Sequence, residues 1–273
     1  MNYIFIKLRK KFLNFCLKVI KKHVDKQDEF FVYTYHRGKD LLNPITWKAR
    51  GITPENSNQP SETNDWGLID NIIDYQDKIV FDVGASLGVT VYPFSKKAKE
   101  VYAFEPQADN FNYLNDQIKI RGLTNVKAFN FAVSDFNGEA DFFNRESHGV
   151  HSLGVHKVGK VVSSCKTKVV TLDSFCAEND IDRIGLLKID VEGFEADVLK
   201  GSEKQLKNKL IDFVIFEFSP RIHKLRNIPI DEPIKILLKN DYKIVTTKGD
   251  KFVYDDNNLP KICDLIAIPN KII

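Results

Sequence analysis

The run from Lys78 to Gly88, K-I-V-F-D-V-G-A-S-L-G, constrains the fold more than any other part of the chain. Ile79 to Phe81 is short, apolar and partly β-branched, the pattern of a buried strand. The run breaks at Asp82, and Gly84 and Gly88 follow; both allow positive φ and set no Cβ against a ligand. Helical spacing resumes through Val91 and Phe94 to Lys97. Strand, glycine turn and helix in succession build the crevice in which an open α/β sheet holds a nucleotide-like ligand.

The spacing separates two kinds of ligand. A dinucleotide fingerprint is G-x-G-x-x-G, whereas this turn reads D-x-G-x-x-x-G, with an acid at the strand end. A pyrophosphate needs bare amides at a helix N-terminus, and a carboxylate at Asp82 would repel it. An acid there suits a zwitterion with an ammonium group, such as S-adenosylmethionine. A tight strand–helix turn without a ligand is the structural alternative. A second strand, Val101 to Phe104, ends in Glu105-Pro106, 23 residues after Asp82. That is where a sheet of this kind bonds a ribose diol, and also where an acid caps a helix opening at Pro106. Both roles are compatible.

Beyond this point strands and helices alternate. Strands are expected near 78–82, 101–105, 126–131, 186–190, 212–218, 242–247 and 263–268, with helices near 88–97, 107–121, 194–208 and 231–240. Such alternation implies an α/β fold with a parallel sheet covered on both faces. The last two strands follow one another across Lys248-Gly249-Asp250, which predicts a close hairpin and an antiparallel sheet end. An insertion over 138–178 has strand character at 139–143 and 168–172. A glycine-bearing loop between them, His148 to Gly154, is expected near the crevice.

Polar groups gather at the strand ends. The third strand runs into Ala132-Val133-Ser134, the fourth into Asp190-Val191-Glu192-Gly193, and the fifth carries Glu217. Asp82, Glu105, Asp190 and Glu217 are thus predicted to converge on one sheet edge. Acids at the ends of apolar strands are costly unless paired or used, which favours a site over four separate caps. Lys188 is expected to pair with Glu217 or Glu192.

The rest of the chain adds context. At 273 residues with 43% apolar and 28% charged residues, one globular domain with an appendage is expected. A net charge of +3 is too small to argue for nucleic acid. Cys16, Cys165, Cys176 and Cys263 show no C-x-x-C spacing, so no zinc site is expected, and a reduced, cytoplasmic setting is. Residues 1–26 hold eight Lys or Arg against one acid, Asp25. Phe5, Leu8, Phe12, Phe15 and Val19 recur at helical steps opposite Lys7, Lys11, Lys18 and Lys22. This predicts a basic amphipathic helix over 1–27. It has two readings: packing on its own domain, or peripheral contact with an anionic membrane at its inner face. Residues 28–70 form a cap or lid segment, with loop chemistry at Asn43-Pro44 and with Tyr33, Tyr35, His36, Arg37 and Trp47 as candidates for an acceptor pocket. Residues 71–273 form the main domain.

F-D-V-G-A-S-L-G, F-E-P, A-V-S-D, the H-S-L loop and above all L-L-K-I-D-V-E-G-F-E-A-D-V-L-K-G resemble the FkbM family of S-adenosylmethionine-dependent methyltransferases, over about residues 70–250. The resemblance implies a Rossmann-like, seven-stranded class I methyltransferase sheet, here with an N-terminal helical extension, and O-methylation of a sugar, glycan, glycolipid or other small molecule. Carried over by position, Asp82, Gly84, Ala85, Ser86 and Gly88 form the methionine-side turn, Glu105 and Pro106 the ribose side, and Ala132, Val133 and Ser134 the adenine side. Asp190 and Glu192 face the transferred methyl. Asp190 is the first candidate for base or acceptor-orienting group, with His151 and Glu217 next. Asp190 with Glu217 as oxygen ligands of Mg²⁺ is an alternative; no dedicated metal site is expected. Three other functions compete. A nucleic-acid methyltransferase would need a D/N-P-P-Y/F segment, which is absent. The intact acids and glycines argue against a non-catalytic nucleotide-binding module, and the missing glycine against a nicotinamide oxidoreductase.

Overall fold

The computed structural model of the protein describes residues 29–33, 44–48, 72–145, 153, 161–260 and 262–270. The expected basic helix, the Tyr35, His36 and Arg37 candidates and His151 lie outside them. The chain divides into two compact units, Met1–Asn64 and Asp65–Ile273. In the first, β1 (Glu29–Tyr33) and β2 (Pro44–Lys48) form an antiparallel pair that carries Tyr33 and Trp47. Pro44, read as loop from the sequence, opens β2 opposite Tyr33; a strand's first residue is where proline is tolerated.

The second unit is built on a sheet of β3 (Ile79–Val83), β4 (Glu100–Phe104), β5 (Val126–Phe129), β9 (Ile184–Ile189), β10 (Ile211–Phe218), β11 (Tyr242–Thr246) and β12 (Cys263–Pro269). Their order is β11-β12-β10-β9-β3-β4-β5. The pairs β5–β4, β4–β3, β3–β9 and β9–β10 are parallel, while β12 runs antiparallel to both β10 and β11. This is the expected seven-stranded Rossmann-like sheet. The order reverses between β3 and β9, so a crevice opens at their carboxyl ends.

The antiparallel end arises differently from the expected hairpin. The turn at Lys248-Gly249 closes only an isolated bridge, Val245 to Lys251. The chain returns to the sheet later, at Cys263, and β12 slots between β11 and β10. In the insertion, β6 (Ala132–Val133), β7 (Gly138–Arg145) and β8 (Val161–Val170) make a separate three-stranded sheet.

Helices cover both faces. They are α1 (Val91–Ser95), α2 (Ala108–Arg121), α3 (Leu172–Glu178), α4 (Glu195–Lys200), α5 (Glu203–Lys207), α6 (Pro220–Arg226) and α7 (Glu232–Lys239). Among the described residues no helix is long and apolar enough to cross a membrane. α2 ends as the sequence implies, at Gly122 with φ +61. The single helix expected over 194–208 is broken at Gly201-Ser202. A Cβ on Gly201 would lie 2.0 Å from the Ser134 carbonyl oxygen, so the chain must turn there, and Asp173 caps the next helix by accepting from the Lys204 and Gln205 amides. α3 is not among the expected helices, and the strand expected over 168–172 reaches only its first residue, Leu172; Thr171 starts the helix by accepting from the Ser174 amide.

Two apolar cores flank the sheet. One holds Val80, Val91, Phe94 and Leu114, the other Phe81, Phe104, Phe175 and Leu187. Phe175 of α3 is the hub of the second. Its ring centroid lies 4.9 Å from Phe104, 5.2 Å from Phe129, 5.7 Å from Phe81, 5.9 Å from Tyr102 and 6.1 Å from Phe131, mostly edge to face. Phe175→Ala is expected to cost about 3–5 kcal/mol in urea unfolding, with Phe175→Leu costing less. A loss below about 1 kcal/mol for alanine would show that α3 is not part of the cooperative core.

Candidate active site

The site begins with a buried ion pair. In the parallel register Asp82 of β3 lies beside Lys188 of β9, on the same side of the sheet. The Lys188 ammonium donates to Asp82 at 3.0 Å and lies 3.5 Å from Asp190; the Thr90 hydroxyl donates to the other Asp82 oxygen. Asp82 has no solvent exposure and Lys188 almost none. Burial alone would lower the Lys188 pKa, but the carboxylates of Asp82 and Asp190 outweigh it and hold it above the ordinary lysine value. Two expectations are corrected here. Lys188 pairs with Asp82 and Asp190, not with Glu217 or Glu192, because register sets its neighbour. The ammonium that Asp82 meets is a protein one, so Asp82 shapes the turn from below and does not line the crevice.

The turn is fastened to β4. The Gly84 and Ala85 amides both donate to the Phe104 carbonyl at 3.0 Å, and the Ser86 amide donates to Glu105 Oε2 at 2.7 Å. Gly84 has φ +83, and a Cβ there would lie 1.8 Å from the Asp190 carbonyl oxygen, so only glycine lets the two strand ends approach. The amides of 84, 85 and 86 are thereby engaged within the protein, unlike the open donors of a phosphate cradle. Gly88 serves packing: a Cβ would lie 2.6 Å from a Leu114 methyl. Ala85 and Ser134 are buried, with Ser134 donating its amide to Val170.

Glu105 closes the far side. Its Oε1 accepts from the Gln107 amide at 2.8 Å and its Oε2 from Ser86. Burial pushes its pKa up to about 7, against the lowering effect of those two amides. The Asn110 side chain lowers it further, and the acceptor capacity of the carboxylate not taken by these groups remains for a ligand. Glu105 also precedes α2, but the helix cap itself is Gln107, which accepts from Asn110.

Between these groups lies an open crevice. Gly84, Ser86, Glu105 and Pro106 line one side, and Phe104, Phe131, Ala132 and Val133 form an apolar slot. Asp190, Glu192 and Phe194 form the end beyond β9. Leu153, from the loop expected near the crevice, lines it too. Among the proposed site residues, Gly84, Ser86, Glu105, Pro106, Ala132, Val133, Asp190 and Glu192 thus line one crevice. Asp82, Ala85, Gly88, Ser134 and Glu217 stand behind or beside it.

The β9 end is acidic. The Asp190 side chain is 42% exposed, with Lys188 as counter-charge. Burial, then the Asp190 and Glu195 charges, push Glu192 up to about 8. Burial and the charges of Asp190, Glu192, Glu195 and Asp264 push Glu217 up to about 9, and its Oε2 is buried without a hydrogen-bond partner. Asp264 rises to about 6, again mainly through burial. Sequence reasoning missed Asp264. It faces Glu217 only because β12 runs antiparallel and so begins at the edge where the parallel strands end. Glu195, Phe194 and His223 were missed as well; Glu195 stands in the K-I-D-V-E-G-F-E run, but nothing in its spacing marked it as buried. Among the described residues no three of His, Cys, Asp and Glu are grouped as metal ligands would be.

Residues 82–244 match the model of the methyltransferase FkbM domain. The chain belongs to the FkbM methyltransferase family. The K-I-D-V-E-G-F-E run and the glycine turn both fall inside the matched region. Two curated relatives are the hexuronic acid methyltransferase AglP of Haloferax volcanii and the 2-O-methyltransferase NoeI of Sinorhizobium fredii. AglP is 31% identical over 142 residues, 52% of this chain and 56% of that protein. NoeI is 23% identical over 165 residues, 55% of this chain and 66% of that protein. The chain thus spans little more than half the length of AglP. Among solved structures, a methyltransferase FkbM from Methylobacillus flagellatus aligns at 17% identity and a TM-score of 0.48, over 72% of this chain and 45% of that one.

Two outcomes are expected from the electrostatics. Lys188→Met leaves the Asp82 carboxylate buried without a counter-charge and should cost about 3–5 kcal/mol in urea unfolding, whereas Asp82→Asn with Lys188→Met should recover most of it. Additive losses would mean that the pair is not coupled. Glu217 gives a pH dependence. The unfolded chain releases this proton near the ordinary glutamate value of 4.5, whereas the folded chain keeps it to about 9. Within that window the unfolded state binds fewer protons, so the Glu217 contribution to stability falls as pH rises and levels off above about 9. Glu217→Gln should therefore flatten the decline of Tm between about pH 5 and 9. Equal slopes for both proteins would place the Glu217 ionisation at its free-chain value.

Proposed function

We propose that the crevice binds S-adenosylmethionine and that the protein transfers its methyl group to a hydroxyl of a sugar or glycan. The observation that carries this reading is Glu105. Its carboxylate is locked by two backbone amides at the end of β4, lines the crevice, and has acceptor capacity left for the hydroxyls of a ribose. The slot of Phe104, Phe131, Ala132 and Val133 suits an adenine by its apolar walls. At the other end Asp190 and Glu192 offer oxygen atoms toward a sulfonium. The donor set fits the cofactor, and the internally bonded amides of the turn do not fit a pyrophosphate.

When bound, S-adenosylmethionine supplies an electrophilic methyl group on a positively charged sulfur. The protein's part is alignment and proton handling. Asp190, partly exposed in the crevice wall, accepts a hydrogen bond from the acceptor hydroxyl and takes up its proton as the oxygen attacks. Lys188 steadies the charge on Asp190 before that transfer. Glu217, protonated at neutral pH by burial, keeps a further negative charge out of the crowded end. Support for a sugar acceptor comes from the relatives, one named for hexuronic acid and one for 2-O-methylation.

The test is calorimetric titration of the full chain with S-adenosylmethionine and, separately, NAD. A dissociation constant on the order of micromolar for the former alone is expected, weakened tenfold or more by Glu105→Ala. Asp190→Asn should keep that affinity and lose methyl transfer to sugar and glycan acceptors found by screening. Binding of NAD alone would overturn the cofactor reading; wild-type turnover by Asp190→Asn would remove Asp190 from the chemistry.

A further inference from the structure

Behind the turn that carries Asp190 and Glu192 stands a buried pair that the proposed chemistry does not use. His223 of α6 and Glu195 of α4 both have no solvent exposure. The imidazole Nδ1 lies 2.8 Å from the Ile230 carbonyl oxygen, and Nε2 lies 3.3 Å from Glu195 Oε2. A carbonyl oxygen only accepts, so Nδ1 carries a hydrogen. Nε2 faces the Glu195 carboxyl, so both ring nitrogens of the buried imidazole have polar partners.

The other oxygen of Glu195 accepts from the amides of Gly193 at 2.9 Å and Val191 at 3.4 Å. These amides bracket Glu192, which holds φ +55 although it is not glycine, and Gly193 follows with φ +93. A side chain is disfavoured in that left-handed region, so the surroundings must impose it. α6 does so from behind. A Cβ on Gly193 would lie 2.3 Å from an Ile222 methyl, which shows how closely the turn is pressed against the helix. Arg226, one turn of α6 beyond His223, donates to the Gly193 carbonyl and pairs with Asp197 at 2.8 Å. Its guanidinium stacks 3.4 Å from the Phe194 ring centroid.

We propose that Glu195 and His223, with Arg226, are positioning residues: they clamp the turn from Val191 to Phe194 so that the Glu192 carboxyl and the Phe194 ring stand in the crevice wall before any ligand arrives. Glu195 and Arg226 contact the turn, His223 holds Glu195 in place, and none of the three lines the crevice, so they act through Glu192 and Phe194. The binding arm of the test rests on the S-adenosylmethionine reading; the exchange arm does not.

The test is hydrogen exchange by mass spectrometry on the full chain without ligand, paired with calorimetric titration of S-adenosylmethionine. In the wild type, amides 191–195 should be protected at least a hundredfold over an unstructured chain. Glu195→Leu, which keeps the volume and removes the acceptors, should raise their exchange tenfold or more, leave β3 to β5 unchanged, and weaken S-adenosylmethionine binding at least fivefold. Glu195→Gln keeps an acceptor for the amides and a donor for the imidazole, and should restore both within twofold. Free exchange of 191–195 in the wild type would overturn the clamp, as would a leucine variant that behaves like the wild type or a glutamine variant that fails as badly as leucine. Should the leucine variant not fold, wild-type exchange and the glutamine variant decide. Absence of S-adenosylmethionine binding by the wild type would overturn the cofactor reading, while exchange still decides the clamp.

Discussion

The pairing of Lys188 with Asp82 is the constraint on which the rest of the site depends. It joins β9 to β3, two strands 106 residues apart in the chain at this contact, at the place where the strand order reverses. Buried ion pairs contribute little net stability against a well-packed apolar alternative. Their value is specificity. A one-residue slip of β9 against β3 would turn Lys188 to the opposite face and bury both charges alone. With the register held, the Asp190 carbonyl arrives against Gly84, where a Cβ would lie only 1.8 Å away. Asp190, the next residue pointing the same way as Lys188, then emerges at the crevice mouth.

The electrostatics of the crevice follow from that placement. One fully buried cation faces several acids, and it is already engaged by Asp82 and Asp190. The remaining carboxyls, Glu192, Glu217 and Asp264, compete in a setting that disfavours charge, so burial and mutual repulsion push all three upward. The result is a division of labour among like side chains. The exposed Asp190 is suited to accept a proton, and Glu217 behind it to keep one. The apolar slot at the other end carries Glu105 as its main polar anchor. The crevice is therefore polarised along its length, with carboxylates at the β9 end and aromatic walls beyond β4.

Much of this was legible in the chain. The glycine turn, the acid ending β4 and the K-I-D-V-E-G-F-E run named most of the crevice wall, because each lies within a few residues of a strand end. Parallel strands buried on both faces read as continuous apolar runs, and β9 is buried along its whole length. What escaped were relations between distant segments. The expected partners of Lys188, Glu192 and Glu217, both sit at strand ends, whereas the register sets Lys188 beside Asp82 of β3. α3 was hidden by the β-branched residues just before it, although Thr171 and Asp173 are helix-start residues.

The sequence by itself determined most of the element types of the main sheet, the cofactor class to be expected of such a turn, and the family, since these rest on local spacing and on motifs a few residues long. The tertiary structure decided which acids face the crevice and which stand behind it. It placed Asp264 beside Glu217 by running β12 backwards between β10 and β11, and it set His223 and Arg226 behind a turn almost 30 residues earlier in the chain. Side chains on neighbouring strands or on a helix packed behind a turn meet through backbone geometry, and no local pattern of hydrophobicity or charge encodes that meeting.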